Sequence, residues 1–469
     1  MEKFYLAVDI GASSGRHILG HLENGKIKLE EIYRFENGMD HKDGKLLWNV
    51  DRLFGEIVAG MRKCKELGKI PVSMAIDTWA VDYVLLDEQD RILGDTYGYR
   101  DHRTDGMDAE VAKILPETEL YAKTGIQKQI FNTVYQLMAV KQKEPELLQR
   151  AKTLLMLPDY FGLRLTGNKL SEYTNGSTTQ LVNPTTFQWD TDLIRKLGYP
   201  EDIFLPLQMP GTKVGQLLPK MQKEVGFDLE VVLCGSHDTA SAVMAVPQTS
   251  GDGIYISSGT WSLMGIESLK PIINGNAAAA NFTNEGGYDR RFRFLKNIMG
   301  LWMIQSVRHE YNDAYSFAQL CDMAEESKDF PSRVDVNDPS FLSPDSMVEV
   351  IKQYCQKTGQ QVPESVGELA SVVYCSLAQS YGETVSGLEK IAGRIYDSIH
   401  IIGGGSNAAY LNQLTADATG KTVYAGPGEA TAIGNLLAQM IHAEELADLK
   451  SARKCVRESF EIRTFDPEK

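Results

Sequence analysis

The sequence predicts an α/β protein built from two domains of similar design. Each half opens with a strand, a turn of small residues and a second strand, first at residues 4–22 and again at residues 253–266. Each half later carries a strand–loop–helix unit, at residues 231–245 and 399–418. A chain of 469 residues is also long enough for two or three domains of ordinary size. These observations together indicate a weak internal duplication.

Local patterns justify each element in order. The first half is predicted to contain strands at residues 4–9, 16–22, 27–35, 72–76 and 231–234, a helix at 50–67, and mostly helical segments over 106–200. Asn24-Gly25 predicts a hairpin, because both residues tolerate the positive φ angles of a type I′ turn. The second half is predicted to contain strands at 253–257, 261–266 and 399–402, helices at 298–312 and 364–392, and a helix that ends near residue 418.

The composition of residues 247–253, Pro-Gln-Thr-Ser-Gly-Asp-Gly, is typical of a linker. We therefore predict an N-terminal domain at residues 1–246 and a C-terminal domain at residues 247–469.

Charge and cysteine usage exclude several classes of protein. The 48 basic and 63 acidic residues give a net charge of −15, which argues against a nucleic-acid partner. No apolar run approaches the roughly 20 residues that span a bilayer, and Asp9 comes too early for a signal peptide. The six scattered cysteines include no C-x-x-C pair, which favours reduced thiols. We expect a cytoplasmic enzyme without a membrane partner.

The first small-residue loop, Asp9–Arg16, allows two interpretations. Gly11-Ala-Ser-Ser-Gly15 fits the nucleophile elbow of serine hydrolases, which would make Ser13 an esterase nucleophile. That elbow requires a helix after the serine, whereas a strand is predicted here. The alternative is a phosphate-binding loop, in which small residues expose backbone N–H groups and hydroxyls, and Asp9 suits a hydrated Mg²⁺. A tight hairpin without a ligand remains open for this loop alone.

Two further loops strengthen the phosphate interpretation. Ser257–Ser262 repeats the strand–turn–strand plan, and Gly403–Asn407 lies between a strand and a helix, where glycines would let a nucleobase or ribose lie on the backbone. Ser406 or Asn407 could equally be a helix N-cap. Ser236-His-Asp-Thr239 is the catalytic candidate, although Asp238 could also be an N-cap. Neighbouring side chains diverge, so residues 236–238 alone cannot form a catalytic triad.

In this order, the loops resemble the FGGY family of carbohydrate kinases, within the actin-like ATPase superfamily. The resemblance covers essentially the whole chain and is carried by the strings Val8–Arg16, Ile76–Asp82, Tyr99–Asp101, Leu157–Phe161, Ser236–Val243, Ser257–Met264, Asn284–Gly287 and Leu295–Trp302. It implies an α/β fold of two actin-like ATPase (RNase H-like) domains with an active-site cleft between them. Domain closure over the sugar is then expected to exclude water.

The resemblance also implies a reaction and a set of site residues. ATP is expected to phosphorylate the C1 hydroxyl of L-rhamnulose, with Asp238 accepting the hydroxyl proton. Sugar contacts are expected from Ala80, His237, Asp238, Thr239 and Asn297, and Mg²⁺ binding from Asp9. ATP contacts are expected from Ala12, Ser13, Ser14, Gly15, Arg16, Thr260, Gln305 and Gly404.

Several alternatives remain open at this stage. Members of the family can carry Gly where this chain has Ala80, so the substrate could be another ketose, such as L-fuculose or xylulose. A serine esterase using Ser13 and a non-catalytic sugar sensor are alternatives from other classes. The three nucleotide loops contain one basic residue, Arg16. Backbone N–H groups, hydroxyls and Mg²⁺ are therefore expected to neutralise the phosphates, which predicts a strict requirement for a divalent metal.

Overall fold

The computed structural model describes residues 2–248, 253–342 and 344–468, which fold into two compact units. The first unit comprises Met1–Ala245, Glu267–Phe294 and Thr431–Ser459, and the second comprises Val246–Ile266, Leu295–Ala430 and Phe460–Lys469. The chain thus returns twice to the first unit. The predicted linker falls mainly on residues 249–252, which lie outside the described residues. The division into halves at 246/247 stays a prediction.

Fourteen strands and ten helices are assigned up to residue 246. The strands are β1 Phe4–Ile10, β2 Ser14–Glu23, β3 Lys26–Glu36, β4 Asp40–Lys42, β5 Lys45–Leu47, β6 Pro71–Thr78, β7 Tyr83–Leu86, β8 Thr153–Met156, β9 Ser171–Glu172, β10 Val182–Asn183, β11 Gln188–Trp189, β12 Leu207–Gln208, β13 Lys213–Gln216 and β14 Glu230–Val232. The helices are α1 Val50–Glu66, α2 Met107–Ile114, α3 Glu117–Thr124, α4 Thr133–Lys143, α5 Pro145–Arg150, α6 Leu157–Thr166, α7 Tyr173–Ser177, α8 Thr191–Leu197, α9 Pro219–Val225 and α10 Asp238–Met244.

Seven more strands and eight more helices follow within the described ranges. The strands are β15 Gly253–Ser258, β16 Trp261–Ser268, β17 Thr283–Gly286, β18 Phe292–Met299, β19 Ser398–Ile402, β20 Thr422–Ala425 and β21 Arg463–Phe465. The helices are α11 Gly275–Ala279, α12 Trp302–Glu310, α13 Phe317–Glu326, α14 Met347–Lys357, α15 Val366–Ala392, α16 Ala409–Thr419, α17 Ala430–His442 and α18 Leu449–Ser459. None of the helices in the described part of the chain combines the length and apolar character needed to cross a membrane.

The first unit is centred on a six-stranded sheet in the order β13-β14-β6-β1-β2-β3, in which β14, β6 and β1 are parallel. The continuous apolar run of β1 is explained by burial on both faces. Leu6 and Val8 lie in one core with α1, whereas Tyr5 and Ala7 pack in another with Leu436 of α17. The sheet therefore places the ends of three parallel strands side by side at one edge.

The β2–β3 hairpin confirms the turn predicted at Asn24-Gly25. These two residues have φ angles of 52° and 76°, both in the left-handed region that a type I′ turn requires. Residues 14–23, which follow Ser13, form strand β2 rather than a helix. The chain therefore lacks the strand-to-helix turn of a nucleophile elbow at Ser13, which removes the structural basis of the esterase alternative.

A second sheet has strands that lie wholly or mostly in the second unit, in the order β18-β16-β15-β19-β20-β21. Strands β15, β19 and β20 are parallel. The predicted helix at 298–312 is wrong at its start, because β18 runs to Met299 and α12 begins at Trp302. A Cβ on Gly300 would lie 2.5 Å from the carbonyl carbon of Trp261, so only glycine fits this close turn.

The N-cap alternatives are also wrong. Helix α16 begins at Ala409 after Ala408, so neither Ser406 nor Asn407 is its N-cap. Helix α10 has His237 at its N-cap, and Asp238 is its first residue.

Candidate active site

Three parallel strands of the first unit end at the same edge of its sheet, where ligands of open α/β sheets usually bind. Asp9 of β1 and Asp77 of β6 are register partners. An isolated bridge then joins Thr78 to His237, and the Thr78 N–H donates to the Ser236 carbonyl at 2.9 Å. The structure thus brings the predicted metal-binding and catalytic segments to one edge.

Asp238 is the carboxylate at this edge with the features of a proton acceptor. Its Oδ1 accepts a hydrogen bond from Thr239 Oγ1 at 3.1 Å and lies 3.4 Å from His237 Nε2. Burial raises the pKa of the Asp238 carboxyl, the nearby His237 opposes the rise, and the charge of Asp9 adds to it. The side chain remains 32% exposed, so a ligand can reach it. A partly accessible carboxylate with a raised pKa suits general-base catalysis.

The loop before Asp238 is anchored by hydrogen bonds to a buried carboxylate that sequence reasoning missed. Glu172 is fully buried, and its carboxylate accepts hydrogen bonds from Ser236 Oγ at 2.6 Å and from the hydroxyl and N–H of Thr174, both at 2.7 Å. Asn175 Nδ2 lies 3.3 Å from both the Trp79 and Ser236 carbonyls. These contacts fix the predicted catalytic segment against the loop that follows β6.

That second loop carries Ala80, the predicted sugar contact, which is half-buried. Val81 has a φ of 65°, a left-handed conformation that is unusual for a β-branched residue. Its carbonyl accepts a hydrogen bond from Thr133 Oγ1 at 2.7 Å. The surrounding contacts therefore hold the backbone at Ala80 in a strained turn.

Asp82 is the centre of the contacts around this turn. Its Oδ2 accepts hydrogen bonds from Trp48 Nε1 at 2.6 Å, Trp79 Nε1 at 2.9 Å and the Tyr99 N–H at 3.0 Å. Its Oδ1 accepts one from Gln136 Nε2 at 3.0 Å. Burial raises the pKa of Asp82 to about 6, and these hydrogen bonds limit the rise. Of this group of contacts, sequence reasoning identified the string Ile76–Asp82 but none of the hydrogen bonds to Asp82.

The first predicted phosphate loop is a closed hairpin turn. The Gly11 N–H donates to the Ser14 carbonyl at 2.9 Å, Ala12 and Ser14 are half-buried, and Ser13 is exposed. Gly15 has a packing role, because a Cβ there would lie 2.0 Å from the Phe35 ring.

At the end of this loop, Arg16 Nη2 forms an ion pair with Asp9 Oδ2 at 2.6 Å. The predicted metal ligand and the predicted basic phosphate ligand are therefore paired with each other. Because Asp9 offsets part of the charge of Arg16, less of it is available to neutralise phosphates.

The residues around Asp9 fit a hydrated Mg²⁺. Asp77 is fully buried, and while its Oδ2 accepts a hydrogen bond from Asn435 at 2.6 Å, its Oδ1 has no hydrogen-bond partner. Burial and the charge of Asp9 raise the pKa of Asp77 well above its ordinary value. Within the described ranges, no group of three or more His, Cys, Asp or Glu side chains is arranged to hold a metal. A single carboxylate such as that of Asp9 suits Mg²⁺, which keeps several water ligands.

The second unit brings two predicted nucleotide loops together. The Gly259 N–H donates to the Trp261 carbonyl at 2.9 Å, which closes the second phosphate loop, and Thr260 is half-buried. A Cβ on Gly405 would lie 1.9 Å from Ser258 Oγ, so this glycine allows the two loops to touch. Gly404 is exposed, and a Cβ on it would meet no atom within 4 Å. The backbone there is open to a flat ligand.

Gln305 and Asn297 lie on elements next to the second phosphate loop. The Trp302 N–H donates to the Thr260 carbonyl at 3.2 Å, which joins the start of α12 to that loop, and Gln305 is half-buried on the same helix. Asn297 lies on β18, and its Oδ1 is buried without a hydrogen-bond partner. This oxygen is therefore available to accept a hydrogen bond.

The comparisons with known proteins assign the class of this fold. The FGGY family of carbohydrate kinases, N-terminal domain, matches residues 4–245, and its C-terminal domain matches residues 254–443. The chain therefore belongs to the FGGY family of carbohydrate kinases, and the predicted two-domain actin-like ATPase fold is confirmed.

Curated relatives match nearly the whole chain. A protein named rhamnulokinase from Halalkalibacterium halodurans is 53% identical, with 98% of each chain covered. Another of that name from Bacillus subtilis is 46% identical, with 99% of this chain and 95% of the relative covered.

Solved structures share the fold at low identity. Xylulose kinase from Lactobacillus acidophilus, with ligand bound, has a TM-score of 0.80 at 15% identity, covering 99% of this chain and 94% of that one. Glycerol kinase from Plasmodium falciparum, with ADP, has a TM-score of 0.78 at 14% identity, covering 100% and 94%. At such identities the likeness concerns the fold alone.

Proposed function

We propose that the protein transfers the γ-phosphoryl group of ATP to the C1 hydroxyl of L-rhamnulose, giving L-rhamnulose 1-phosphate and ADP in L-rhamnose catabolism. The observation that carries the proposal is Asp238, a partly accessible carboxylate with a raised pKa at the edge where three parallel strands end. The names of relatives that are 42–53% identical support the choice of sugar.

In the proposed mechanism, Asp238 accepts the proton of the C1 hydroxyl as its oxygen attacks the γ-phosphate in line. His237 and Thr239 keep the Asp238 side chain in place through its Oδ1, and both also contact the sugar. Ala80, on its constrained turn, forms a wall of the sugar site. Asn297 binds a sugar hydroxyl through the carbonyl oxygen that lacks a partner.

The proposed ATP contacts come mainly from neutral groups. In the first loop, the backbone and hydroxyl groups of Ala12, Ser13, Ser14 and Gly15 bind phosphate, together with Arg16. In the second unit, Thr260 binds phosphate and Gln305 the nucleotide. The open backbone at Gly404 receives the adenosine.

Asp9 is the proposed Mg²⁺ ligand, with water completing most of the coordination. When bound, the ion would neutralise charge on the ATP phosphates. Because Arg16 is paired with Asp9, turnover should fall to background in excess EDTA and return when Mg²⁺ is added back. Full activity in excess EDTA would contradict this part of the proposal.

A coupled assay of ADP release across L-rhamnulose, L-fuculose and D-xylulose tests the proposal. The expected result is the highest kcat/KM with L-rhamnulose. A higher kcat/KM with another ketose would change the proposed substrate but leave the proposed kinase activity intact. No sugar-dependent ADP release from any ketose would reject the kinase and favour a sugar sensor.

We also propose a cytoplasmic location, which is supported by six cysteines that are all free thiols.

A further inference from the structure

A buried row of side chains in the first unit leads away from Asp238. His237 Nε2 lies 3.4 Å from Asp238 Oδ1, and on the other side of the ring, His237 Nδ1 lies 3.0 Å from Arg293 Nη2. Arg293 in turn pairs with Glu285, with 3.1 Å between Nη2 and Oε2. None of the roles proposed above uses Glu285 or Arg293.

Arg293 is held rigidly. Its side chain is 0% exposed, its Nε donates to the Gly286 carbonyl at 2.8 Å, and Glu285 provides the opposite charge. Burial alone would raise the pKa of Glu285, but the charge of Arg293, the largest opposing cause, helps to keep it below its ordinary value. Glu285 therefore stays ionised and keeps the guanidinium in place.

The arginine determines where the ring proton of His237 lies. A guanidinium has only donors, so a ring nitrogen that it contacts at 3.0 Å has to be the acceptor. Nδ1 is therefore unprotonated, and the proton of the neutral imidazole is on Nε2, which faces Asp238. Glu285 Oε2 is more distant from Nδ1, at 3.4 Å, than the guanidinium is.

Two donor groups then lie near one oxygen of Asp238. The Thr239 hydroxyl donates to Oδ1 at 3.1 Å, and His237 Nε2 lies 3.4 Å from the same oxygen, beyond ordinary hydrogen-bond distance but close enough for electrostatic attraction. We propose that Arg293, held by Glu285, is a positioning residue that fixes the Nε2–H tautomer of His237, so that a donor and not a lone pair faces Oδ1 of Asp238 and Oδ2 receives the substrate proton. This inference rests on the proposed role of Asp238 as the base.

The tautomer can be measured in the unmodified full-length protein. We would label its histidines with ¹⁵N and record two-bond ¹H–¹⁵N correlation spectra at pH 7.5, assigning His237 by the signal that His237→Gln removes. The expected pattern is that of a neutral ring protonated at Nε2. A ring protonated at Nδ1, or at both nitrogens, would overturn the proposal. This readout does not depend on turnover.

A mutant cycle tests the consequence for catalysis. Arg293→Met alone would leave Glu285 buried and unpaired, so it is combined with Glu285→Gln, and folding is checked by thermal unfolding. We expect kcat to fall about tenfold, the usual effect of losing one hydrogen bond, and the NMR signal to show both tautomers. Arg293→Lys keeps a donor and should keep the Nε2–H signal.

The same pair is then made in a His237→Phe background. A phenyl ring has no nitrogen to accept from Arg293 and no N–H to face Asp238, so the pair should reduce kcat by less than twofold there. An equal tenfold fall in both backgrounds would show a merely structural role for Arg293. Wild-type turnover in Asp238→Asn would instead reject the base, and the two failures are thus distinguishable.

Discussion

The β1–β2 hairpin of the first unit and the β15–β16 hairpin of the second share one design. In each, a glycine N–H closes the turn at 2.9 Å, at Gly11 and at Gly259, and the first strand of the hairpin is parallel to its other neighbour. Their chemistry differs. The edge beside the first hairpin carries three carboxylates, Asp9, Asp77 and Asp238. By contrast, residues 258–260 at the end of β15 are Ser-Gly-Thr, and residues 403–405 after β19 are all Gly.

The difference teaches that one backbone frame serves two kinds of chemistry. In the proposed mechanism, the carboxylates provide the metal ligand and the proton acceptor, whereas the N–H groups and hydroxyls bind phosphate oxygens or a nucleobase without titrating. Substitutions at Asp238 and around the turn at Ala80 should therefore affect the chemical step and the sugar, whereas those in the loops at residues 258–260 and 403–405 should affect ATP binding.

The largest expected effect is at Asp238. Asp238→Asn keeps the shape but removes the proton acceptor, so kcat should fall by about 1,000-fold, within the usual range for general-base catalysis. The Kd for ATP, measured by calorimetry, should stay within twofold. The exposed Asp329→Asn is the matched control and should keep wild-type kcat. A fall of less than tenfold in Asp238→Asn would place the base elsewhere.

The sequence predicts the secondary structure better than the side-chain contacts between its elements. The strand ends at Asp9 and Asp77 follow from local apolar runs, and the two residues Asn24-Gly25 are enough to predict a type I′ turn. Asp82, by contrast, collects donors from Trp48 and Gln136, far apart along the chain. No local pattern indicates such pairings, because they form only when separate elements pack together.

The same dependence on contacts between distant segments explains the other features that the sequence did not predict. Glu172 lies 64 residues from the Ser236 that it anchors, and no motif surrounds it. The apolar spacing around Ile298 suits a helix as well as a strand, and only pairing within the sheet makes residues 292–299 β18. Glu285 was visible in a string that resembles the family, whereas nothing in the sequence indicated Arg293.

The second expected effect is acid sensitivity of the first unit. His17 is fully buried on β2, its Nε2 donates to the Ile57 carbonyl at 3.2 Å, and burial lowers the pKa of His17 to about 4. Since the unfolded chain binds this proton near pH 6.5, the stabilisation is complete above pH 6.5 and is lost as pH falls towards 4. The loss should reach about 3 kcal/mol in the free energy of unfolding.

Urea unfolding between pH 7.5 and pH 4.5 measures this loss. His17→Gln, which keeps a donor for Ile57, should flatten the pH dependence, whereas His309→Gln, at an exposed site, should not. Hydrogen exchange at pH 5 should show protection lost from the first unit before the second. The same pH slope in His17→Gln and wild type would contradict the assignment.

The third effect concerns a pair of neighbouring glycines in the second unit. Gly405→Ala places a Cβ against Ser258 and should destabilise the protein by about 1–3 kcal/mol. Gly404→Ala meets no atom and should keep the melting temperature, yet raise the KM for ATP about tenfold by covering the open backbone. An unchanged KM for ATP in Gly404→Ala would remove this loop from the nucleotide site.

The smallest expected effect concerns sugar binding at the turn that carries Ala80. Asp82→Asn turns one acceptor into a donor that faces either Gln136 or the two indoles, which loosens the turn at Ala80. We expect the KM for L-rhamnulose to rise about fivefold, the effect of one weakened hydrogen bond, and the KM for ATP to stay unchanged. Asp87→Asn, which alters a turn within its own loop at Gln89, is the matched control.

Steady-state kinetics with each substrate varied in turn provides the measurement for both units at once. If Asp82→Asn changes only the KM for the sugar and Gly404→Ala only the KM for ATP, the turn at Ala80 serves the sugar and the loop at Gly404 serves ATP. A variant that shifted both KM values equally would show that these two loops do not serve separate substrates.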